Sequence, residues 1–447
     1  MNKKILLNAF DMNTPGHQSM GLWRHPRDSS HRYTSMSYWQ ELARTLERGL
    51  FDGIFLADVT GLYDVYSGTP DAALRAAAQV PTNDPFTVVP VMAAVTEHLG
   101  FGITGSIPYL HPYSFARLIS SLDHLTDGRM AWNVVTGYLN SAAKGTGKQQ
   151  QASHDTRYEI AAEFMEVVYK LWEGSWEEGA VIRDRASGVY TDPARVHSMH
   201  HDGEYFALEA VHLCEPSPQR TPVIFQAGAS SKGQAFAAGH AECVFVADGK
   251  IETVAKFVKT TKQNLVDGGR SADAIKFFAL MAVIVAETDA EAQAKLEDYQ
   301  SYGIDEGGLA LISGWTGIDF STFDPDMHVE KIDSDAIQTI LNSLGARTVR
   351  EWADFLVVGG AGPMIVGSPK TVVDEMQRWM DEGDVDGFNL THTVMPECVT
   401  DFVDLVVPEM QRRGIYKTEY APGTVREKLF NKGSRLQAPH PAVTYRV

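Results

Sequence analysis

The residues best suited to chemistry fall just past short apolar runs: Phe10, Asp11 and His17; Asp58 and Tyr63; Thr104 and His111; Asn133, Thr136 and Tyr138; Ser230 and Ser231; His392. Hydroxyls, amides and imidazoles dominate this set. Such groups hold anions, hydrogen-bond a polar ring and move protons. The clustered carboxylates and His-x-His pairs of a metal hydrolase are missing from it, so no metal is expected. Residues 226–233 (QAGASSKG) have the composition of an anion cradle. Small residues between a strand and a helix let backbone N–H groups approach a phosphate, and two serines add donors. A plain strand-to-helix turn with an N-cap serine has the same composition. Gly100, Gly102 and Gly105 match G-x-G-x-x-G, but within a strand and with Pro108 and Pro112 following. That context is wrong for a dinucleotide fingerprint, and no nicotinamide site is expected.

Three further groups have two readings each. His197, His200 and His201 could bind metal, but read better as a solvated part of a long insertion. Residues 154–158 (HDTRY) open a helix, where Asp155 taken alone is a cap. Phe10, Trp23, Tyr63, Tyr138 and Trp315 are either core or the walls of a pocket for a flat apolar ligand.

Apolar runs predict strands at about 5–10, 51–57, 100–104, 130–135, 222–226, 243–247, 277–286 and 387–390. Helical spacing fills most intervals: 37–50, with a capping box from Ser37 and Gln40, then 86–98, 115–125, 157–172, 232–239, 253–266, 369–381 and 399–412. Repeated βα units imply a parallel sheet, and eight of them a closed (β/α)8 TIM barrel rather than an open sheet. Function then belongs at the C-terminal strand ends, although a phosphate site after strand five departs from the usual place after strands seven and eight. The expected organisation is one barrel domain over 1–415, with insertions at about 59–82, 174–220 and 288–360 after strands two, four and seven. A polar tail, 416–447, reads as a surface or subunit-contact segment.

The 447 residues carry 57 acidic and 39 basic side chains, a net charge of −18. Such a surface repels nucleic acids and anionic membranes. Three scattered cysteines support neither a disulfide framework nor a CxxC zinc site and fit a reducing cytoplasm. No apolar run approaches a membrane span.

Long co-linear blocks identify a resemblance: WRHP (23–26), LERGLFDGIFLAD (46–58), MAAVTEHLGFG (92–102), LDHLTDGRMAWNVVT (122–136), HDTRYEIAAEF (154–164) and SPQRTPVIFQAGAS (217–230). Over about residues 4–420 the chain resembles the flavin-dependent monooxygenases of the bacterial-luciferase superfamily. Its branch is that of the nitrilotriacetate, dibenzothiophene-sulfone and alkane monooxygenases. NAFDM (8–12), GLWRHP (21–26) and YDVYSG (63–68) look most like the dimethyl sulfide monooxygenase group. The resemblance implies a homodimer or homotetramer that binds reduced FMN supplied by a separate NADH-dependent flavin reductase, bound transiently or linked only by free diffusion. Dioxygen would add to the flavin as a C4a-hydroperoxide, and one oxygen atom would pass to substrate. By position, Asp58, Thr104, His154, Tyr158 and Ser230 would contact the flavin, with Asn133 and Ser231 beside them, which reverses the cap reading of 154–158. His17 and Tyr63 match positions proposed as catalytic in the alkane-oxidising relatives. Two further histidines of those relatives appear here as Tyr138 and Trp315, which with Phe10 and Trp23 would wall the substrate pocket. That more aromatic pocket suits a small organosulfur compound rather than an alkane. The competing readings are a catalytically silent flavin-binding paralogue, the same reaction on another substrate (alkane, aminopolycarboxylate or aromatic sulfone), and a deazaflavin oxidoreductase.

Overall fold

The computed structural model describes residues 3–228, 230–329, 347–360 and 362–447. Eight parallel strands follow the expected runs: β1 Leu6–Met12, β2 Gly53–Ala57, β3 Gly100–Ser106, β4 Met130–Val135, β5 Val223–Gln226, β6 Cys243–Val246, β7 Lys276–Val285 and β8 Gly387–Thr391. Each pairs with the next in chain order, and β8 returns to β1, with Phe10 opposite Thr391 and Phe55. The sheet is therefore a closed (β/α)8 barrel. The glycine-rich segment at 100–105 lies inside β3. β7 is ten residues long; its second half leaves the barrel and pairs with Met364–Gly367.

Alternating side chains make two cores. Outward residues such as Leu7, Leu56, Ile103 and Trp132 meet the helices in one continuous apolar shell. Inward residues Phe55, Phe225 and Phe278, with Phe10 and Phe245, fill the barrel. Phe225 and Phe245 stack with centroids 5.2 Å apart, and this aromatic plug floors the C-terminal mouth. The tail closes the opposite end. Val425 and Leu429 join the inner cluster, and the buried Arg426 guanidinium donates to Glu242 Oε1 at 2.7 Å and Oε2 at 2.9 Å.

Local departures from expectation have local causes. The first helix, Met36–Arg48, is capped by Ser35, whose Oγ accepts from the Tyr38 N–H at 3.3 Å. Ser37 instead accepts from Arg32, so the predicted box does not form. The helix expected over 86–98 is only a turn, Pro85–Val88, followed by Val89–Ala93. Pro90 lacks an N–H, and the Glu47 carboxylate takes the N–H groups of Glu97, His98 and Leu99 in place of further helix. The helix His154–Tyr169 begins three residues earlier than expected, with Ser153 rather than Asp155 as its cap. Residues 174–220 carry two hairpins, Val181–Asp184 with Val189–Thr191 and Met199–Asp202 with Ala207–Ala210. His201 on the second is buried against Glu163 at 3.1 Å and is not solvated. Within 288–360 lie the helices Asp289–Gln300, Asp305–Thr316 and Val349–Leu356; residues 330–346 of that insertion are outside the described residues. No described helix is long and apolar enough to cross a membrane.

Candidate active site

A cavity of about 330 Å³ opens at the C-terminal ends of β2 to β5. Asp58, Tyr138, His154 and Tyr158 line it, as expected; so do Arg157 and Gln226, which the sequence reading missed.

One wall is the turn from β5 into the helix Ser231–His240. Ser230 is the N-cap, its Oγ accepting from the Gly233 N–H at 3.1 Å. The His154 Nε2 lies 3.4 Å from the same Oγ, so the β5 turn and the helix His154–Tyr169 meet here. Tyr158 closes the junction. A Cβ at Gly233 would come 2.9 Å from the Tyr158 oxygen and 3.1 Å from the Gly228 Cα. The turn is a cradle that only glycine leaves open. Ser231 is exposed at the helix start, and Ala229 is outside the described residues.

Deeper in the barrel, Thr104 and Asn133 are register partners on β3 and β4. The Asn133 Nδ2 donates to the Thr104 hydroxyl at 3.1 Å. Both residues are buried. The Asn133 Oδ1 and the Gln226 Oε1 are buried without a protein partner. Such orphaned acceptors are costly unless a ligand or water satisfies them. The Asp58 carboxyl, at the end of β2, is pushed up to about 6 by burial and then by Asp84. A polar, planar ligand with an anionic tail fits this set: acceptors in the barrel, an open glycine cradle and hydroxyl donors at one end.

The opposite rim is aromatic. Tyr138 is 43 % exposed there, and its hydroxyl is hydrogen-bonded to that of Tyr63, which is buried. Trp315, near the end of the helix Asp305–Thr316, packs against the cluster that holds Tyr63. Burial raises the Tyr63 phenol to about 12 against the pull of Tyr138 and Trp315, so it stays protonated at neutral pH. Tyr63 also donates to the Gln79 Oε1 at 2.9 Å, and the Gln79 Nε2 donates to the His17 carbonyl at 2.9 Å. Gln79, missed in the sequence, ties the tyrosine to the loop after β1. Gly314 in the helix Asp305–Thr316 makes room for the Tyr63 ring, since a Cβ there would overlap it.

The remaining predicted residues are placed elsewhere. His17 is fully buried below the rim, edge-on to Phe10 at 4.4 Å, and does not line the cavity. Burial, then His392, drives its pKa well below the usual imidazole range. Asp11, His17 and His392 offer ligand-type atoms within 4.8 Å of one another. The Asp11 Oδ2 and the His17 Nδ1 lack hydrogen-bond partners, while the His392 Nδ1 lies 3.3 Å from the Asp11 Oδ1, and the trio forms a buried polar cluster beneath the rim. Trp23 is 37 % exposed and donates to the Ala76 carbonyl at 3.1 Å, away from the cavity. His111 caps the helix Pro112–Leu125.

Residues 16–386 match the luciferase-like monooxygenase family model. The dimethyl-sulfide monooxygenase of Hyphomicrobium sulfonivorans is 51 % identical over 453 aligned positions, covering 100 % of this chain and 94 % of that protein. The long-chain alkane monooxygenase of Geobacillus thermodenitrificans is 49 % identical, covering 100 % of this chain and 99 % of that protein. Among solved structures, a riboflavin lyase with modified FMN and riboflavin bound superposes with a TM-score of 0.93 at 35 % identity, over 100 % of both chains. That neighbour and the family point to flavin as the ligand the cavity fits. The chain belongs to the luciferase-like monooxygenase family, in the branch of the dimethyl-sulfide and alkane enzymes, and is a monooxygenase.

Proposed function

We propose that this chain is the oxygenating component of a two-component system. It takes reduced FMN from a separate NADH-dependent flavin reductase, by transient contact or free diffusion, and inserts one atom of dioxygen into a small apolar organosulfur compound of the dimethyl sulfide type. It works as a cytoplasmic homodimer or homotetramer. The observation that carries this reading is the cavity that His154, Tyr158 and Tyr138 line, with Ser230 and the glycine cradle against His154 and Tyr158 and the buried Tyr63 hydroxyl behind Tyr138.

Bound reduced flavin supplies the electrons that activate dioxygen. The protein's part is positional. Ser230, His154 and Tyr158 hold the anionic tail. Asn133 and Gln226 present acceptors toward the ring. The aromatic rim and the Phe55, Phe225 and Phe245 floor keep water out, which favours transfer to substrate over release of hydrogen peroxide. Tyr63, protonated at neutral pH, gives its hydroxyl proton to Gln79 and accepts from Tyr138, so it orients the Tyr138 hydroxyl at the cavity wall and backs proton movement through it during oxygen transfer.

The test is oxygen uptake and product formation with reduced FMN, a generic flavin reductase and NADH. The panel is dimethyl sulfide, larger thioethers, aromatic sulfones, aminopolycarboxylates and alkanes. Sulfur oxidation in step with oxygen uptake is expected. Turnover of long alkanes without thioethers would overturn the substrate class, and hydrogen peroxide alone across the panel would favour the silent flavin-binding alternative.

A further inference from the structure

The cradle described so far contains no lysine or arginine without an acidic partner. Ser230 offers a hydroxyl, Tyr158 a phenol, and the helix start its backbone N–H groups. A phosphate monoester brings roughly 1.5 to 2 negative charges at neutral pH. Lys232, next to the cradle, is already paired with Asp155 at 2.8 Å. Among the described residues lining the cavity, Arg157 is the one arginine or lysine.

Its position is specific. Arg157 follows His154 by three residues on the helix His154–Tyr169, so the two share a face with Tyr158 beside them. The guanidinium is half-buried and donates through Nη1 to the Gly137 carbonyl. Its Nε is buried without a partner. Its electrostatic neighbours are the phenols of Tyr109 and Tyr158, and burial lowers its pKa. No ion pair joins it to a carboxylate among the described residues. A desolvated guanidinium held only by a carbonyl and lining a ligand cavity is a charge awaiting its counter-ion. Asp58 lines the same cavity from the end of β2. The cavity is therefore lined by one carboxyl and one uncompensated cation among its apolar and aromatic walls.

We propose that Arg157 is the counter-charge for the phosphate of the bound flavin, and that it makes the site select FMN over the unphosphorylated riboflavin. The inference rests on the FMN reading above and adds the residue that enforces it. The fork of N–H donors suits a phosphate, and the bond to Gly137 fixes its direction.

Fluorescence titration of the full-length protein with oxidised FMN and with riboflavin tests this without turnover. For Arg157→Gln, the FMN dissociation constant should rise about 10- to 100-fold, the range of a charge-assisted hydrogen bond. The riboflavin constant should move less than about 3-fold on the same scale. Arg157→Lys, which keeps the charge and loses the fork, should fall between. On the wild type, inorganic phosphate should weaken FMN binding and leave riboflavin binding unchanged, a result that needs no variant to fold. Parallel weakening of both flavins in Arg157→Gln would show that Arg157 only braces the Gly137 turn and would overturn the inference. So would an unchanged FMN-to-riboflavin ratio, or phosphate that fails to compete. A wild type that binds FMN but shows these results sinks the Arg157 assignment alone. A wild type that binds neither flavin sinks the FMN reading and this inference with it.

Discussion

At the scale of single residues, burial sets the chemistry more than residue type does. Asp58 is an ordinary carboxyl until the end of β2 buries it near Asp84 and pushes it up to about 6. Its folded pKa then exceeds its unfolded value of 3.8, so the folded state binds the proton more tightly. Stability therefore falls as pH rises from about 4 to about 6 and stays lower above that window. Asp58→Asn should stabilise the protein at pH 7.5 by roughly 1–3 kcal/mol and give no comparable gain near pH 4; denaturant unfolding at the two pH values checks both parts. Burial acts in the same direction on Tyr63, whose phenol stays protonated and is doubly held by Gln79 and Tyr138. Tyr63→Phe should leave flavin binding intact and lower product per oxygen consumed, with hydrogen peroxide making up the difference. Breaking the Gln79–Tyr63–Tyr138 hydrogen-bond chain should lower turnover on the order of 100-fold.

At the scale of elements, the site depends on two junctions. One is the β5 turn against the helix His154–Tyr169. Gly233→Ala places a methyl against the Tyr158 oxygen and the Gly228 Cα. Flavin affinity should drop at least about tenfold, about 1.4 kcal/mol, while circular dichroism of the fold is unchanged. The helix period already put His154, Arg157 and Tyr158 on one side, so Arg157 was legible in the sequence once His154 was suspected. Gln79 was not. It sits three residues past the short helix Asp71–Ala76 at a φ of +56°, in a turn where no periodicity applies. The expected helix over 86–98 failed for a related reason: Pro90 and the distant Glu47 carboxylate decide that stretch, and only the first is local in sequence.

At the scale of the molecule, the barrel is stoppered from below by its own C-terminal segment. Arg426 and Glu242 are 2 % and 6 % exposed and joined by two hydrogen bonds. Removing one partner strands a buried charge, so Arg426→Ala should cost about 3–5 kcal/mol, whereas Arg426→Met with Glu242→Gln should cost much less. Equilibrium unfolding of the single and double variants distinguishes the two. A tail that only rested on the surface would show neither loss.

The sequence by itself determined the eight strands and the closed barrel, because a parallel βα repeat needs only local apolar runs and helical spacing. It also located the strand-to-helix turn at 226–233, since small residues there are a local pattern, but left it open between an anion cradle and a plain capped turn. Tertiary structure alone decided which side chains share the cavity. It sealed His17 below the rim, set Trp23 outside and joined Tyr63 to Tyr138 and Gln79. Those placements depend on loops of different strands meeting across the barrel mouth, and on the depth to which each is buried. Neither quantity is written in the spacing of residues along the chain.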